Sequence, residues 1–179
     1  MLISGNEPLK NYFTGLAEHT FEARLGVADP PLVDYISDLL VRFIHNDLIF
    51  RLRDPQGRPL TEVVAMLSEA SQRIGSAKRE AHRHIGDYTL FWSGMYPEAL
   101  AARQSPNRPD YLLDYREQGK RAYWIASTID IDEEPEVAPG EVLERLSCQF
   151  ELCTYGLREI RSEWERRDDG DAPRPYLIN

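Results

Sequence analysis

The sequence predicts an all-α fold, a single-domain bundle of five to seven helices. Apolar residues recur at steps of three and four along most of the 179 residues. Short connectors rich in proline, glycine and acidic residues separate these segments, and strand-like alternation is rare. A chain of this length can bury one full core. We therefore expect a helical bundle domain over residues 1–167 and an extended C-terminal tail over residues 168–179.

The first half of the chain predicts four helices. The first ends at Gly26, a residue suited to a left-handed stop. The motif Asp29-Pro30-Pro31 starts the second, which is apolar around most of its circumference and is expected to be central. Thr61 is expected to cap the third helix, which ends near Gly75. The fourth begins at Ser76 and contains the highest density of aromatic residues.

Residues 48–60 leave two interpretations open. They form the sequence LIFRLRDPQGRPL, in which residues 54–57 are a strong turn between flanks rich in extended formers. This pattern fits a short β-hairpin. A plain interhelical loop, with Phe50 and Leu52 tucked beneath it, fits equally well.

The second half predicts the remaining helices. Pro97 is suited to start a short helical turn, and Asp110 is expected to cap the next long helix. The acidic stretch of residues 130–136 is expected to be a solvated loop. A last helix over residues 141–167 carries a coiled-coil-like seam of apolar residues. The seam comprises Leu143, Leu146, Phe150, Cys153, Leu157, Ile160 and Trp164.

Composition excludes some classes of function. The formal net charge of −9 makes the protein acidic and repels nucleic acid and anionic lipid. No apolar run approaches the ~20 residues that span a bilayer, so we expect no membrane insertion. The first ten residues lack the pattern of a secretory signal, and the two cysteines, Cys148 and Cys153, are expected to be reduced. A cytoplasmic location follows as an expectation.

A candidate metal site comes from the spacing of carboxylates and histidines. Glu80, His84 and Asp87 stand at i, i+4 and i+7, so one stripe of the fourth helix carries all three. Asp38 and His45 lie on the second helix in a similar arrangement. If the two helices were neighbours, this ligand set would suit iron, manganese or zinc, and a transition metal would be the cofactor. Arginines interleave with these residues, which favours neutralised carboxylates instead.

A candidate ligand pocket comes from the same helix. Gly86 lies in its interior, where glycine costs about 1 kcal/mol relative to alanine unless the structure requires it. Close helix crossing is one explanation, and a ligand against the backbone is the other. Tyr88, Trp92 and Tyr123 would wall such a pocket for a flat or apolar ligand, but they would fit a packed core as well.

The segment IGDYTLFWSGMYPE, from Ile85 to Glu98, resembles segments of uncharacterised bacterial all-helical proteins of unknown function. The resemblance covers about a tenth of the chain. It implies a bacterial, cytoplasmic setting and carries no catalytic or binding residue.

These observations leave three functions open. We expect first a non-catalytic helical protein that acts by self-association, as a homodimer, or by binding a protein partner through the helix of residues 141–167. Its apolar seam would require a partner if one bundle could not cover it. The first alternative is a metal-dependent enzyme with the histidine and carboxylate site between helices. The second alternative is a bundle that binds a small ligand.

Overall fold

The computed structural model describes residues 7–44, 51–132 and 138–168, and it confirms the all-α fold. These ranges contain eight α-helices, more than the five to seven expected, and no strand. The helices are α1 (Glu7–Glu18), α2 (Pro30–Ile44), α3 (Val63–Gln72), α4 (Gly75–Met95), α5 (Pro97–Arg103), α6 (Tyr115–Thr128), α7 (Gly140–Cys148) and α8 (Phe150–Asp168). A π-helical segment, His19–Arg24, continues α1. No helix among these is long and apolar enough to cross a membrane.

The central helix is α4 rather than the predicted second helix. Every residue from Ala81 to Tyr96 is buried, and α4 packs against α2, α3, α5, α6 and α8. Its two interior glycines lie at helix crossings. A Cβ built on Gly86 would lie 2.7 Å from the ring of Tyr123 on α6, and one on Gly94 would lie 2.5 Å from Leu157 on α8. The glycines therefore allow the neighbouring helices to approach α4 closely.

The predicted last helix is two helices in the structure. A break at Gln149 separates α7 from α8, but the heptad-like spacing continues through it, so the seam stays on one side. All seven seam residues, from Leu143 to Trp164, are buried in the core of the same chain. The seam therefore gives no reason to expect a partner helix over residues 141–167, and the homodimer stays a prediction without this support.

Two helix caps differ from the sequence prediction. We expected Thr61 to cap α3 and Asp110 to cap the next long helix after it, which is α6 in the structure. In the structure, the Asp110 carboxylate accepts hydrogen bonds from the backbone N–H groups of Val63 and Val64, at 2.8 and 2.9 Å, and so caps α3. The side chain of Asp114 caps α6. Asp110 reaches α3 from a distant part of the chain, which spacing along the sequence cannot reveal.

Residues 51–60 form a loop with the shape of a hairpin. The N–H of Leu60 donates to the carbonyl of Leu52 at 2.9 Å, and Arg53 and Pro59 form one isolated β-bridge. Pro59 has no N–H with which to extend a ladder, so no strand forms here. The Leu52 side chain is buried, as the loop interpretation expects, whereas Phe50 and the start of the predicted hairpin at residue 48 lie outside the described residues.

Candidate functional site

A buried carboxylate, that of Asp87, is the centre of a polar network on α4. The hydroxyls of Tyr35 and Tyr123 donate to its Oδ1 at 2.6 and 2.7 Å. Nη1 of Arg42 donates to Oδ2 at 3.0 Å. Nε of Arg83 lies 3.9 Å from the same oxygen and donates to the Tyr35 hydroxyl at 3.0 Å. Residues from α2, α4 and α6 thus meet at one carboxylate that is only 1% exposed.

The electrostatics of this network keep each group in one protonation state. Burial alone would raise the pKa of the Asp87 carboxyl, but the charges of Arg42 and Arg83 and the two tyrosine hydrogen bonds lower it below its ordinary value. Burial, followed by the charge of Asp87, raises the pKa of Tyr35 and Tyr123. At neutral pH the carboxylate is ionised and both phenols are protonated. The network is therefore a fixed ion cluster rather than a source of a nucleophile or a base.

A cleft of about 210 Å³ opens beside this cluster. It lies between α2, α3, α4 and the loop after residue 50. Its charged and polar lining consists of Arg42, Arg51, Arg73, Glu80, His84 and Asp87. Leu52 and Ala81 provide an apolar wall.

Two polar atoms on residues that line the cleft have no hydrogen-bond partner among the residues that the structure describes. They are Nε2 of His84 and Nη2 of Arg42, and both are buried. An unsatisfied buried donor or acceptor typically costs about 1–3 kcal/mol. The His84 ring is 7% exposed and stacks on Phe43 with centroids 6.1 Å apart, so its orientation is fixed by packing. Both atoms are enclosed and have almost no accessible surface, so a ligand in the cleft would reach them only if neighbouring side chains moved.

His84 is neutral at physiological pH. Burial lowers its pKa to about 4, and the positive charges of Arg42, Arg51 and Arg83 act in the same direction, against the opposing effect of Asp87. A neutral imidazole donates a hydrogen bond from one ring nitrogen and accepts one at the other, and the tautomer decides which of the two roles Nε2 has. It adds no charge to the cleft.

The cleft is lined by more arginines than carboxylates, although the chain is acidic. Among the described residues its lining holds Arg42, Arg51 and Arg73 against Glu80 and Asp87. Arg42 pairs with Asp38 and Asp87, and Arg73 pairs with Glu69. Arg51 is the lining arginine without an ion pair in the described part of the chain, whereas the whole chain has a net charge of −9.

The carboxylates of the predicted metal site, those of Asp38, Glu80 and Asp87, are engaged in ion pairs with arginines. Asp38 accepts from Nε of Arg42 at 2.7 Å, and Glu80 lies 3.4 Å from Arg83. His84 and Glu80 line the cleft together with Asp87, whose oxygens are already occupied. Within the described ranges no group of three His, Cys, Asp or Glu residues is placed to hold a metal ion. His45 lies outside the described residues, so a metal site that includes it stays a prediction.

The residues of the predicted aromatic pocket lie in the core. The Tyr123 ring occupies the space beside Gly86, which is the close-packing explanation for that glycine. The Tyr88 hydroxyl donates to the carbonyl of Thr61 at 2.7 Å, and Tyr88 and Trp92 form an edge contact. None of Gly86, Tyr88, Trp92 and Tyr123 lines the cleft described above.

Sequence reasoning missed part of the site. The pairs Asp38/Arg42 and Arg83/Asp87 stand at i and i+4 and were recognisable as helical ion pairs. The contribution of Tyr35 carried no such signal. It reaches Asp87 only because α2 packs on α4, and nothing in its sequence neighbours indicates this.

A second cavity, of about 470 Å³, lies where the C-terminal end of α4 meets α5, α6 and α8. Phe150 and Tyr115 contribute aromatic surface to it. Its charged lining is balanced, with Arg116 and Arg158 against Asp114 and Glu151. It therefore lacks the charge excess that distinguishes the first cleft.

No family model, curated protein or solved structure matches this chain.

Proposed function

We propose that the protein is a helical bundle that binds a small anionic ligand in the cleft between α2, α3 and α4. The observation that carries the proposal is the set of three arginines on its lining, Arg42, Arg51 and Arg73. This is the small-ligand alternative of the sequence analysis, in a polar cleft instead of the aromatic pocket expected there.

The charge of the cleft favours an anion. Three of its lining side chains are guanidinium groups, which remain charged at all physiological pH values. One of its two carboxylates, that of Asp87, is already compensated by Arg42 and Arg83. An anion in the cleft would supply a counter-charge to Arg51, which has no ion pair among the described residues.

The size of the cleft favours a small ligand. Its volume of about 210 Å³ lies below the ~300–1,000 Å³ typical of sites for drug-sized molecules. A ligand of a few non-hydrogen atoms, or the charged end of a larger one, fits this space.

The ion cluster holds Arg42 in place for binding. Nε of Arg42 donates to Asp38 and Nη1 donates to Asp87, which leaves Nη2 as the nitrogen without a partner in the described part of the chain. The guanidinium also lies 5.8 Å from the ring centroid of Tyr35 and 5.9 Å from that of Phe43. A side chain held at so many points loses little further freedom when a ligand binds, which lowers the entropic cost of binding.

Thermal unfolding in the presence of phosphate, sulfate, acetate and propionate, at constant pH and ionic strength, tests the proposal. At 100 times its dissociation constant, a ligand stabilises the folded protein by about 2.7 kcal/mol. For a chain of this size we expect a saturable rise in Tm of roughly 5–10 °C with at least one anion.

Two variants and a control show whether the rise in Tm comes from binding in the cleft. Arg51→Gln and Arg73→Gln change the cleft lining without touching the Asp87 cluster, and both are expected to weaken the shift. Arg166→Gln removes an arginine that is 65% exposed near the end of α8, and it is expected to leave the shift unchanged. A shift that does not saturate, or that is identical in all variants, would show that the cleft is not a binding site.

A further inference from the structure

We infer that the second cavity, beside the C-terminal end of α4, is a separate ligand site that takes an organic monoanion with a flat apolar body, such as an aromatic carboxylate. This site is independent of the cleft between α2, α3 and α4, because the two share no lining residue. Its recognition of an anion depends on one accessible arginine, Arg158, and on the apolar surface around that arginine.

One face of α8 forms a wall of the second cavity. Glu151, Thr154, Tyr155 and Arg158 all line the cavity. They stand at i, i+3, i+4 and i+7, so they share one side of the helix. The Tyr155 side chain is 51% exposed, and Arg158 is exposed as well. A ligand in the cavity can therefore contact both residues without any rearrangement of the core.

The guanidinium group of Arg158 lies at the cavity and has no carboxylate partner in the described part of the chain. Its Nη2 donates to the carbonyl oxygen of Ser93 at 3.4 Å, and Ser93 lines the cavity too. This contact places the charged end of the side chain, and not only its stem, beside the cavity. Nε and Nη1 have no hydrogen bond or ion pair within the described residues, so they are available as donors to an anionic group.

The other charged groups of the lining already have partners. The Asp114 carboxylate accepts from the backbone N–H of Arg116 at 2.9 Å, and the Glu151 carboxylate lies 2.8 Å from Nζ of Lys120. The Arg116 guanidinium lies 3.7 Å from Asp114 and 4.0 Å from Glu151. Arg158 is thus the lining charge that a ligand would pair with. Because two carboxylates also line the cavity, a ligand with a single negative charge suits it better than a dianion.

The second cavity has room and apolar surface for the body of such an anion. Its volume of about 470 Å³ lies within the ~300–1,000 Å³ typical of small-molecule sites and is more than twice that of the cleft. Leu100 and the half-exposed ring of Tyr155 provide apolar walls, and the enclosed side chains of Tyr115 and Phe150 complete the apolar lining. A flat ring that packs against Tyr155 would gain an aromatic contact while its carboxylate pairs with Arg158.

Isothermal titration calorimetry of the full chain at pH 7.5 and constant ionic strength tests for this site. The probes are benzoate, acetate and benzamide. Benzoate has both the ring and the charge, whereas acetate lacks the ring and benzamide lacks the charge. We expect benzoate to bind tenfold or more tightly than either of the other two compounds.

Variants of exposed residues locate the binding. Arg158→Gln should weaken benzoate binding about tenfold, because the ligand loses a charged hydrogen-bond donor, and Tyr155→Ala should weaken it several-fold. Arg166→Gln, which changes another exposed arginine of α8, is the matched control and should bind benzoate as the wild type does. Arg51→Gln changes the cleft and should also leave this benzoate site unchanged. The Tm of each variant without ligand shows that the fold is retained.

The second site and the proposed function of the cleft fail separately. Acetate or benzamide binding as tightly as benzoate would overturn the second site, and so would an absence of benzoate binding. Benzoate binding that is weakened by Arg51→Gln but not by Arg158→Gln would place the ligand in the cleft, which also overturns the second site. Benzoate binding that is weakened by Arg158→Gln but not by Arg51→Gln supports the second site, whether or not the cleft binds an anion.

Discussion

Replacing Asp87 by asparagine removes the charge at the centre of the buried cluster while keeping its shape. The carbonyl oxygen of asparagine can still accept from the hydroxyls of Tyr35 and Tyr123. Its amide group, however, would place N–H donors against the donors of Arg42 and Arg83. Both arginines would then lose their shared counter-charge in the core.

The expected cost follows from the burial of these groups. Removing one partner of a buried ion pair typically costs about 3–5 kcal/mol, because the remaining charge is left uncompensated. In this variant Arg42 keeps its ion pair with Asp38, and Arg83 keeps its ion pair with Glu80. The expected loss of stability therefore lies at the lower end of this range. We therefore expect a loss of about 3 kcal/mol, out of a total stability of roughly 5–15 kcal/mol for a typical domain.

Urea denaturation followed by far-ultraviolet circular dichroism measures this loss. The matched control is Asp38→Asn, since Asp38 pairs with the same Arg42 but is 30% exposed, where an ion pair contributes about 0–1 kcal/mol. The midpoint for Asp87→Asn should fall well below both the wild type and this control. A loss under about 1 kcal/mol, or one equal to that of Asp38→Asn, would refute the claim that burial makes the Asp87 charge indispensable.

Two further predictions concern packing and pH. Gly86→Ala should destabilise the protein by about 1–2 kcal/mol, because a Cβ 2.7 Å from the hydrogen-bonded Tyr123 ring outweighs the gain in helix propensity. Gly15→Ala should stabilise the protein by up to about 1 kcal/mol, because the added Cβ meets no atom within 4 Å apart from its chain neighbours and its own helix backbone. Urea denaturation measures both variants, and changes in the free energy of unfolding that have the same sign would contradict this prediction. The pKa of His84 is about 4 in the folded protein, below its ordinary 6.5, so the unfolded chain binds the proton first as the pH falls. The free energy of unfolding should therefore decrease as the pH falls from 6.5 to 4. His84 should account for a loss of about 2 kcal/mol between pH 7.5 and 5.0, and His82 acts in the same direction. The variant His84→Gln should make the dependence of stability on pH flatter.

The helices were predictable because their signals are local. The prolines after Asp29 and the apolar periodicity that follows them place α2 where the structure has it, at Pro30–Ile44. The break at Gln149 was not predictable from periodicity, because the seam from Leu143 to Trp164 keeps its spacing across it. A change in helix geometry that preserves the buried face leaves no trace in the apolar pattern.

The candidate site was only half predictable, for a different reason. His84 and Asp87 were singled out from their spacing on one helix, and both belong to the site in the structure. The pattern could not show whether their partners would be metal ligands or arginines, because that depends on which helix packs against α4. The approach of α2 brings Arg42 to Asp87, and the end of α3 brings Arg73 to the cleft. These contacts form between helices that are distant in the sequence, so the sequence contains the residues but does not show how they are arranged.

The presence of the ion cluster is itself an argument for binding. A buried group of charges is weak evidence for stability, since apolar residues of equal volume would stabilise a core as well or better. Arg42, held by Asp38 and Asp87, lines the cleft together with Arg51 and Arg73, and a core built for stability alone would not need guanidinium groups there. A small anion in the cleft accounts for this placement, because it would give the three guanidinium groups a common partner.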